Sequence, residues 1–404
     1  MQKLSLFEDQ RMTLQGAIAQ SAENLRHYGQ FYKHWAIAFS GGKDSTATAT
    51  LVLHLIKTGQ IPKPESLTLL YADTRQELPP LHFSALRVLK FAEDLGFSAR
   101  VVLPEIDKRF WVYILGRGVP PPNNGTLRWC TRQIKVDPMS HALADVRSQL
   151  GKGDRLLMLT GVRLGESAAR DQRIAISCTK DSGECGQGWF QSMTADRTDT
   201  LAPILHWRVC HVWDWLNFEA PFEGYPTEMV AEAYGMVESD GEEALTMRTG
   251  CVGCPLVSGN KDDALARLIK NPNWAYLAPL QRVRPLHRQM RDFRYRLRKD
   301  GSERKADGSL VKNPGRVGPL TLEARSHFLE QVLAIQNEVN RQAGDRPHIS
   351  LINAEEEARI RELIALKFFP DKWDGSEPNG AELLPKVYQD GSVQNLLFYL
   401  TRNQ

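Results

Sequence analysis

Trp35-Ala36-Ile37-Ala38-Phe39-Ser40-Gly41-Gly42-Lys43-Asp44-Ser45-Thr46 is the stretch whose reading decides the fold. Trp35 to Ser40 reads as a short apolar strand, and Thr46 to Ile56 reads as a helix beginning directly after the loop. Two glycines at the turn let the backbone approach an anion closely, and a helix N-terminus presents unpaired N–H groups and partial positive charge to it. Lys43 adds a mobile cation; Ser40 and Ser45 add hydroxyl donors. A surface turn can carry Ser-Gly-Gly by chance, but the apolar strand in front of it favours a phosphate cradle. The spacing is not that of the GxxxxGK[ST] loop.

Working outward, residues 11–33 read as an amphipathic helix, Ser66 to Ala72 as a second buried strand, Pro79 to Leu95 as a helix, and Ser98 to Leu103 and Arg155 to Val162 as further strands. Strands alternating with helices at this spacing predict a doubly wound, mainly parallel α/β sheet. Ligands of such sheets sit outside the carboxyl ends of the strands. Two more strand ends carry distinctive residues: Asp73-Thr74-Arg75-Gln76-Glu77-Leu78-Pro79, and Gly161-Val162-Arg163-Leu164-Gly165-Glu166-Ser167 with Arg170 following. Each alone is as readily a solvated loop. Together with the first loop they place acidic groups for a magnesium ion and arginines for phosphate around one crevice.

The bulk numbers exclude several classes. The 404 residues carry 51 basic and 48 acidic side chains, a net charge of only +3, so attraction to nucleic acid has to come from local patches. No apolar run approaches the roughly 20 residues that span a bilayer. The opening Met-Gln-Lys-Leu-Ser-Leu-Phe-Glu-Asp-Gln lacks the apolar core of a secretory signal, and the expectation is a cytoplasmic chain with no membrane partner. All six cysteines, Cys130, Cys178, Cys185, Cys210, Cys251 and Cys254, precede residue 255, which points to metal or sulfur chemistry more than to a disulfide framework.

In order along the chain, Ser-Gly-Gly-Lys-Asp-Ser, Asp-Thr-x-x-Glu-Leu-Pro, Arg128-Trp129-Cys130-Thr131-Arg132-Gln133-Ile134-Lys135 and Gly-Val-Arg-x-x-Glu-Ser resemble the phosphoadenosine phosphosulfate (PAPS) reductase branch of the PP-loop, N-type ATP pyrophosphatases. Within that branch the chain is most similar to the DndC proteins of DNA phosphorothioation. The segments Arg248-Thr249-Gly250-Cys251-Val252-Gly253-Cys254-Pro255, Gly318-Pro319-Leu320-Thr321-Leu322-Glu323-Ala324-Arg325 and Leu351-Ile352-Asn353-Ala354-Glu355-Glu356 add to that likeness. The resemblance implies an adenine nucleotide alpha hydrolase-like fold, with an added helical, cysteine-bearing C-terminal region. The chain then divides into residues 1–34, a PP-loop domain over 35–255 and a mostly helical, partly basic region over 256–404.

The resemblance also implies site roles. Ser40, Gly41, Gly42, Lys43 and Ser45 would hold the pyrophosphate of ATP; Asp44 and Asp73 would hold or orient Mg2+; Gly161, Arg163, Glu166 and Arg170 complete the nucleotide site, with Lys43, Asp44, Asp73 and Arg163 closest to the chemistry. The reaction it implies is adenylation of a DNA backbone phosphate followed by sulfur insertion, with a cysteine desulfurase as sulfur donor and other phosphorothioation subunits as partners. A thioredoxin-dependent sulfonucleotide reductase, a tRNA thiolation enzyme and a non-catalytic nucleotide-regulated nucleic-acid-binding subunit stand as alternatives. Reductases of the family use a cysteine near the C-terminus; the segment Pro255 to Gln404 contains none.

The Cys251-x-x-Cys254 pair can place two thiolates on one metal group, and Cys130 lies where related reductases carry cluster cysteines. These three with Cys185, or with Cys178 in second place, make a ligand set for a [4Fe–4S] cluster, zinc being the alternative. The related reductases often carry two adjacent cysteines where this chain has Trp129-Cys130. Cys210 lies in an apolar stretch and reads as core, as do Trp207, Trp213, Trp215 and Phe218 at near-helical spacing; His34, His82 and His211 read as structural. From Gln281 to Lys305 there are ten Lys or Arg residues against three acids, with Phe293 and Tyr295 between them. Such a segment suits a nucleic-acid backbone; a solvated charged helix is the alternative. Lys299 to Arg316 reads as an exposed loop, and Leu320 to Asn340 and Ala354 to Leu366 as helices.

Overall fold

The computed structural model describes residues 12–125, 127–165, 189–192, 197–234, 250–257, 263–381 and 386–394. They fall into two compact units, each gathered from separate segments: unit 1 from 1–73, 77–103 and 135–250, unit 2 from 74–76, 104–134 and 251–404. This division differs from the consecutive blocks 1–34, 35–255 and 256–404. It puts Cys130, Cys251 and Cys254 in the same unit.

Unit 1 is a doubly wound α/β structure. Its strands are β1 (His34–Phe39), β2 (Ser66–Ala72), β3 (Ser98–Val102), β4 (Leu156–Thr160), β5 (Trp189–Gln191) and β6 (Thr198–Ala202), in the order β3-β2-β1-β4-β6-β5. All neighbours run parallel except β5, which pairs antiparallel with β6. Parallel strands are covered on both faces, which is why β1 and β2 are near-continuous apolar runs. Ala36, Leu70, Val102 and Leu156 form one covered patch with Ala142 of the helix Asp137–Ser148, and Met139, Leu143 and Val146 close over it. Each leucine so buried contributes roughly 1.5–3 kcal/mol.

Helix α1 (Leu14–Gly29) precedes β1, and Thr13 caps it by accepting the Gly16 N–H at 3.1 Å. Helix α2 (Lys43–Lys57) follows β1 and is buried along almost its whole length. The Thr48 and Thr50 hydroxyls donate back to the carbonyls of Asp44 (2.9 Å) and Thr46 (2.8 Å), which keeps both satisfied in the interior. Because Gly42 is its N-cap, α2 starts at Lys43, three residues ahead of the expected Thr46, so Lys43, Asp44 and Ser45 stand on its first turn. Helix α3 (Pro79–Asp94) connects β2 to β3. The strand order reverses at β1, flanked by β2 on one side and β4 on the other; that switch point is where such sheets bind ligands.

Unit 2 is mainly helical. The helix Leu322–Ala343 buries Phe328, Leu329, Val332 and Val339, and Thr321 caps it through the Ala324 N–H at 3.2 Å. The helix Ala354–Ala365 opens with a capping box in which Asn353 and Glu356 each accept the other's backbone N–H. A short antiparallel pair joins Arg296–Arg298 to Val317–Leu320. Among the described residues, no helix is long and apolar enough to cross a membrane.

Candidate functional site

Only Ser40, Gly41 and Gly42 separate the end of β1 from α2. Gly41 takes a φ of +72°, open to glycine at no steric cost. The Ser40 N–H donates to Ser45 Oγ (3.2 Å), and the Ser45 hydroxyl donates to the Gly42 carbonyl (3.0 Å), folding the loop tightly onto the first helical turn. Gly42 brings no side-chain cap, so the positive end of α2 faces the loop through its backbone donors. One of those donors, the Lys43 N–H, points to the Tyr234 hydroxyl at 3.1 Å, and the Lys43 ammonium lies 5.2 Å from the Tyr234 ring centre.

Asp44 is held between two cations. Its Oδ2 lies 3.1 Å from Lys43 Nζ and its Oδ1 accepts from Arg163 Nε at 3.0 Å. Lys43, Asp44 and Arg163 are each less than a tenth exposed. Arg163 also donates to the Leu164 and Trp207 carbonyls at 3.3 and 3.5 Å, which aims its guanidinium. Gly161 explains how β4 comes so close: a Cβ there would meet the Ser45 nitrogen at 2.8 Å and the Asp44 carbonyl carbon at 2.9 Å. The result is a buried, cation-rich cluster beside a helix N-terminus, chemistry suited to a polyphosphate.

Asp73 stands at the end of β2, 4% exposed, with its N–H donated to the Val102 carbonyl at 3.1 Å. His82 of α3 places Nδ1 4.0 Å from Asp73 Oδ2 and 3.2 Å from the Tyr71 hydroxyl. The expectation of a structural histidine thus gains a carboxylate neighbour at the strand ends. Glu166 and Arg170 lie outside the described residues, as do Cys178 and Cys185.

The second feature belongs to unit 2. Cys251 to Cys254 form a tight turn, with the Cys254 N–H donated to the Cys251 carbonyl at 3.1 Å and Gly253 at φ +60°. A Cβ on Gly253 would lie 2.5 Å from Val283 Cγ1. The Val252 N–H donates to the Gln76 carbonyl (2.8 Å), His287 Nδ1–H to the Gly253 carbonyl (2.9 Å), Asn124 Nδ2 to the Leu256 carbonyl (2.8 Å) and Arg291 to the carbonyls of Pro122 and Pro255. His287 is buried against Trp111 and Phe110, and burial pushes its pKa down to about 4, so it stands neutral. Cys251 is exposed, and Cys130 and Cys254 are partly covered. Burial pushes the Cys130 thiol up, and the nearby Cys254 adds to that. Among the described residues none of the three is joined in a disulfide. Thiolates at these positions suit iron–sulfur or zinc, yet among the described residues no group of three or more His, Cys, Asp or Glu is gathered to hold a metal ion.

Several expectations resolve differently. Cys210, read as core, is exposed: in the helix Val209–Asp214 the buried positions are His211, Val212 and Trp213. Phe218 is likewise exposed, whereas Trp207, Trp213 and Trp215 are core. His211 and His34 are structural, the first held to the Met12 carbonyl at 2.9 Å and the second to Ser66 Oγ at 2.8 Å. The basic stretch is not one helix but a helix, a turn and a strand, and eight of its ten cations meet partners inside unit 2. Arg282 meets Glu338, Arg284 meets Asp263, Arg294 meets Asp292 and Lys299 meets Glu377; Arg291, Arg296, Arg298 and Arg304 donate to carbonyls. Tyr234 is the site residue that the sequence reading missed; no motif surrounds it, and it reaches the loop from 191 positions away.

Residues 34–220 match the family model of the phosphoadenosine phosphosulfate reductase domain. A protein of Methanocaldococcus jannaschii with no characterised function is 28% identical over 226 residues, 55% of this chain and 42% of that protein. The chain therefore spans less than half the length of this curated relative. Among solved structures, the PAPS reductase of Candida auris in its phosphate complex is similar with a TM-score of 0.32 and 14% identity, over 50% of this chain and 79% of that one. The U34-tRNA thiolase NcsA of Methanococcus maripaludis, with its [4Fe–4S] cluster, is similar with a TM-score of 0.33 and 17% identity, over 52% and 65%.

Proposed function

We propose that this chain is a cytoplasmic ATP-dependent sulfur-transfer enzyme that adenylates a backbone phosphate of DNA and promotes its replacement by sulfur. The observation that carries the reading is the Lys43–Asp44–Arg163 cluster on the first turn of α2, at the switch point of a sheet whose region 34–220 matches a domain family of nucleotide sulfur chemistry.

In this reading the Ser40–Gly42 backbone, Lys43 and Ser45 receive the β and γ phosphates. Arg163 neutralises charge that develops as pyrophosphate departs. Asp44, paired with Lys43 and Arg163, and Asp73 would hold or orient Mg2+, which would supply charge neutralisation at the phosphate oxygens. A non-bridging oxygen of the target phosphate attacks the α-phosphorus, the bond to the β-phosphate oxygen breaks, and pyrophosphate leaves. The outer sulfur of a persulfide supplied by a cysteine desulfurase then attacks the activated phosphorus and displaces AMP, and a thiol reductant cleaves the S–S bond so formed, leaving sulfur on the phosphate and a disulfide on the donor side. Positioning and charge neutralisation supply most of the acceleration in such steps. Cys130, Cys251 and Cys254 would hold a thiolate-ligated cluster or zinc together with a further ligand, Cys185 or Cys178; such a group would supply sulfur storage or electrons. DNA and companion phosphorothioation subunits are the partners this reading requires.

The test is pyrophosphate release from Mg-ATP with duplex DNA, comparing wild type with Lys43→Ala. We expect a loss of roughly 10²–10³-fold in the variant. Mass spectrometry of digested DNA supplies the substrate: a phosphorothioate dinucleotide that persists after deletion of the gene refutes the DNA reading. Loss of a thiolated tRNA nucleoside moves the substrate to RNA.

A further inference from the structure

We propose that Tyr234 is a built-in competitor for the phosphate position, closing the loop after β1 when no nucleotide is bound. The inference rests on the phosphate-loop reading of Ser40 to Ser45. A helix leaves its first N–H groups without intrahelical partners, and these are the donors a phosphate takes. In this structure the Lys43 N–H, the first of α2, is directed at a phenolic oxygen 3.1 Å away. The same residue's ammonium lies 5.2 Å from the ring centre, so one aromatic side chain addresses both the backbone donor and the buried ammonium of Lys43.

Tyr234 is not a casual contact. It is 5% exposed, its ring meets Trp213 edge-to-face at 5.1 Å, and it is the C-cap of the helix Glu228–Ala233. A Cβ added to Gly42 would lie only 3.5 Å from its hydroxyl, so the oxygen sits directly over the cap of α2. A neutral phenol oxygen is a weak acceptor beside a phosphate oxygen, because a hydrogen bond to an ionised acceptor is roughly twice as strong. Tyr234 therefore satisfies the donor and yields to a phosphate, swinging off the helix end as the anion arrives. Nucleotide binding then carries the loss of one neutral hydrogen bond, and a protein without the hydroxyl escapes that loss.

Tyr234→Phe keeps the ring, its packing on Trp213 and its position beside Lys43, and removes only the competing oxygen. Calorimetric titration with inorganic pyrophosphate and with Mg-ATP should show binding tightened on the order of fivefold, the size of one neutral hydrogen bond. Adenosine, which carries no phosphate, should bind both proteins alike. Thermal unfolding of the variant within a few degrees of wild type keeps the comparison valid, and Tyr234→Leu provides a second hydroxyl-free side chain expected to shift affinity in the same direction. Weaker or unchanged pyrophosphate binding in both variants overturns the proposal, since the hydroxyl would then be a constituent of the site or a bystander. Wild-type protein that binds neither pyrophosphate nor Mg-ATP, with Lys43→Ala behaving identically, overturns the phosphate-loop reading itself.

Discussion

The Ser40–Ser45 loop and the Cys251–Cys254 turn are both short, glycine-bearing and tightly bonded, yet they are stabilised by opposite means. The loop is organised by ions: on the first turn of the helix that follows it, one carboxylate is held between two cations. The turn is organised by tied carbonyls, with a neutral histidine donating to Gly253 within it and an arginine and an asparagine donating to the Pro255 and Leu256 carbonyls that follow it. An ionic frame is attuned to a hard, charged ligand such as a polyphosphate. A frame of tied carbonyls leaves side-chain chemistry to the thiols, soft donors that favour soft partners.

That contrast can be broken most severely at Asp44. Asp44→Ala leaves Lys43 and Arg163 buried without their shared carboxylate, and urea unfolding should record a loss of about 3–5 kcal/mol. A loss below 1 kcal/mol would mean that the ionic frame is not what holds the loop.

The turn should instead respond to pH. His287 is depressed to about 4 in the fold against an ordinary value near 6.5, so the unfolded chain takes up its proton first. Stability is full above about pH 6.5 and declines as pH falls toward 4, by about 3 kcal/mol for a shift of this size. His54 and His206, also lowered chiefly by burial, add to the same slope. Unfolding measured at pH 7 and pH 5 should therefore differ, and His287→Gln should flatten part of the difference. An identical slope in that variant would remove His287 from the account.

Gly253→Ala tests the backbone of the turn. With φ at +60° and Val283 Cγ1 2.5 Å from the new Cβ, we expect a destabilisation of about 1–3 kcal/mol by thermal melting. The smallest effect concerns the basic stretch. Since eight of its ten cations have partners in unit 2, the exposed Arg288 and Lys305 are the two left, among the described residues, to meet a nucleic-acid backbone. Replacing both with Gln should lower the salt slope of DNA binding by no more than about 2. A larger drop would show that the paired arginines also reach phosphates.

What could be read in the chain beforehand follows the same physical divide. The strand Ser66–Ala72 was legible to the residue, and His34–Phe39 to within one, because strands covered on both faces leave an unbroken apolar run. Strands Trp189–Gln191 and Thr198–Ala202 were not anticipated. The second is Thr-Asp-Thr-Leu-Ala, and Asp199 is tolerated in its interior only because Arg155 and Tyr32 reach it at 2.6 Å from elsewhere in the chain. Lys43, Asp44 and Arg163 announced themselves by motif. Tyr234 could not, since a tyrosine acting through a distant hydrogen bond leaves no local pattern. The basic stretch shows the other side of this: composition counts charges but not the carbonyls and carboxylates that take them up.

The division of the chain into interleaved segments also sets a timetable for synthesis. Residues 104–134 emerge from the ribosome ahead of every residue in 251–404 with which they form unit 2. At the usual pace of translation the interval between Ile134 and Cys251 is on the order of ten seconds, long compared with helix or hairpin formation. During that interval Phe110, Trp111 and Ile114, all buried in the finished protein, lack the partners that later cover them. The nascent chain therefore carries an apolar segment in waiting until the C-terminal third is delivered.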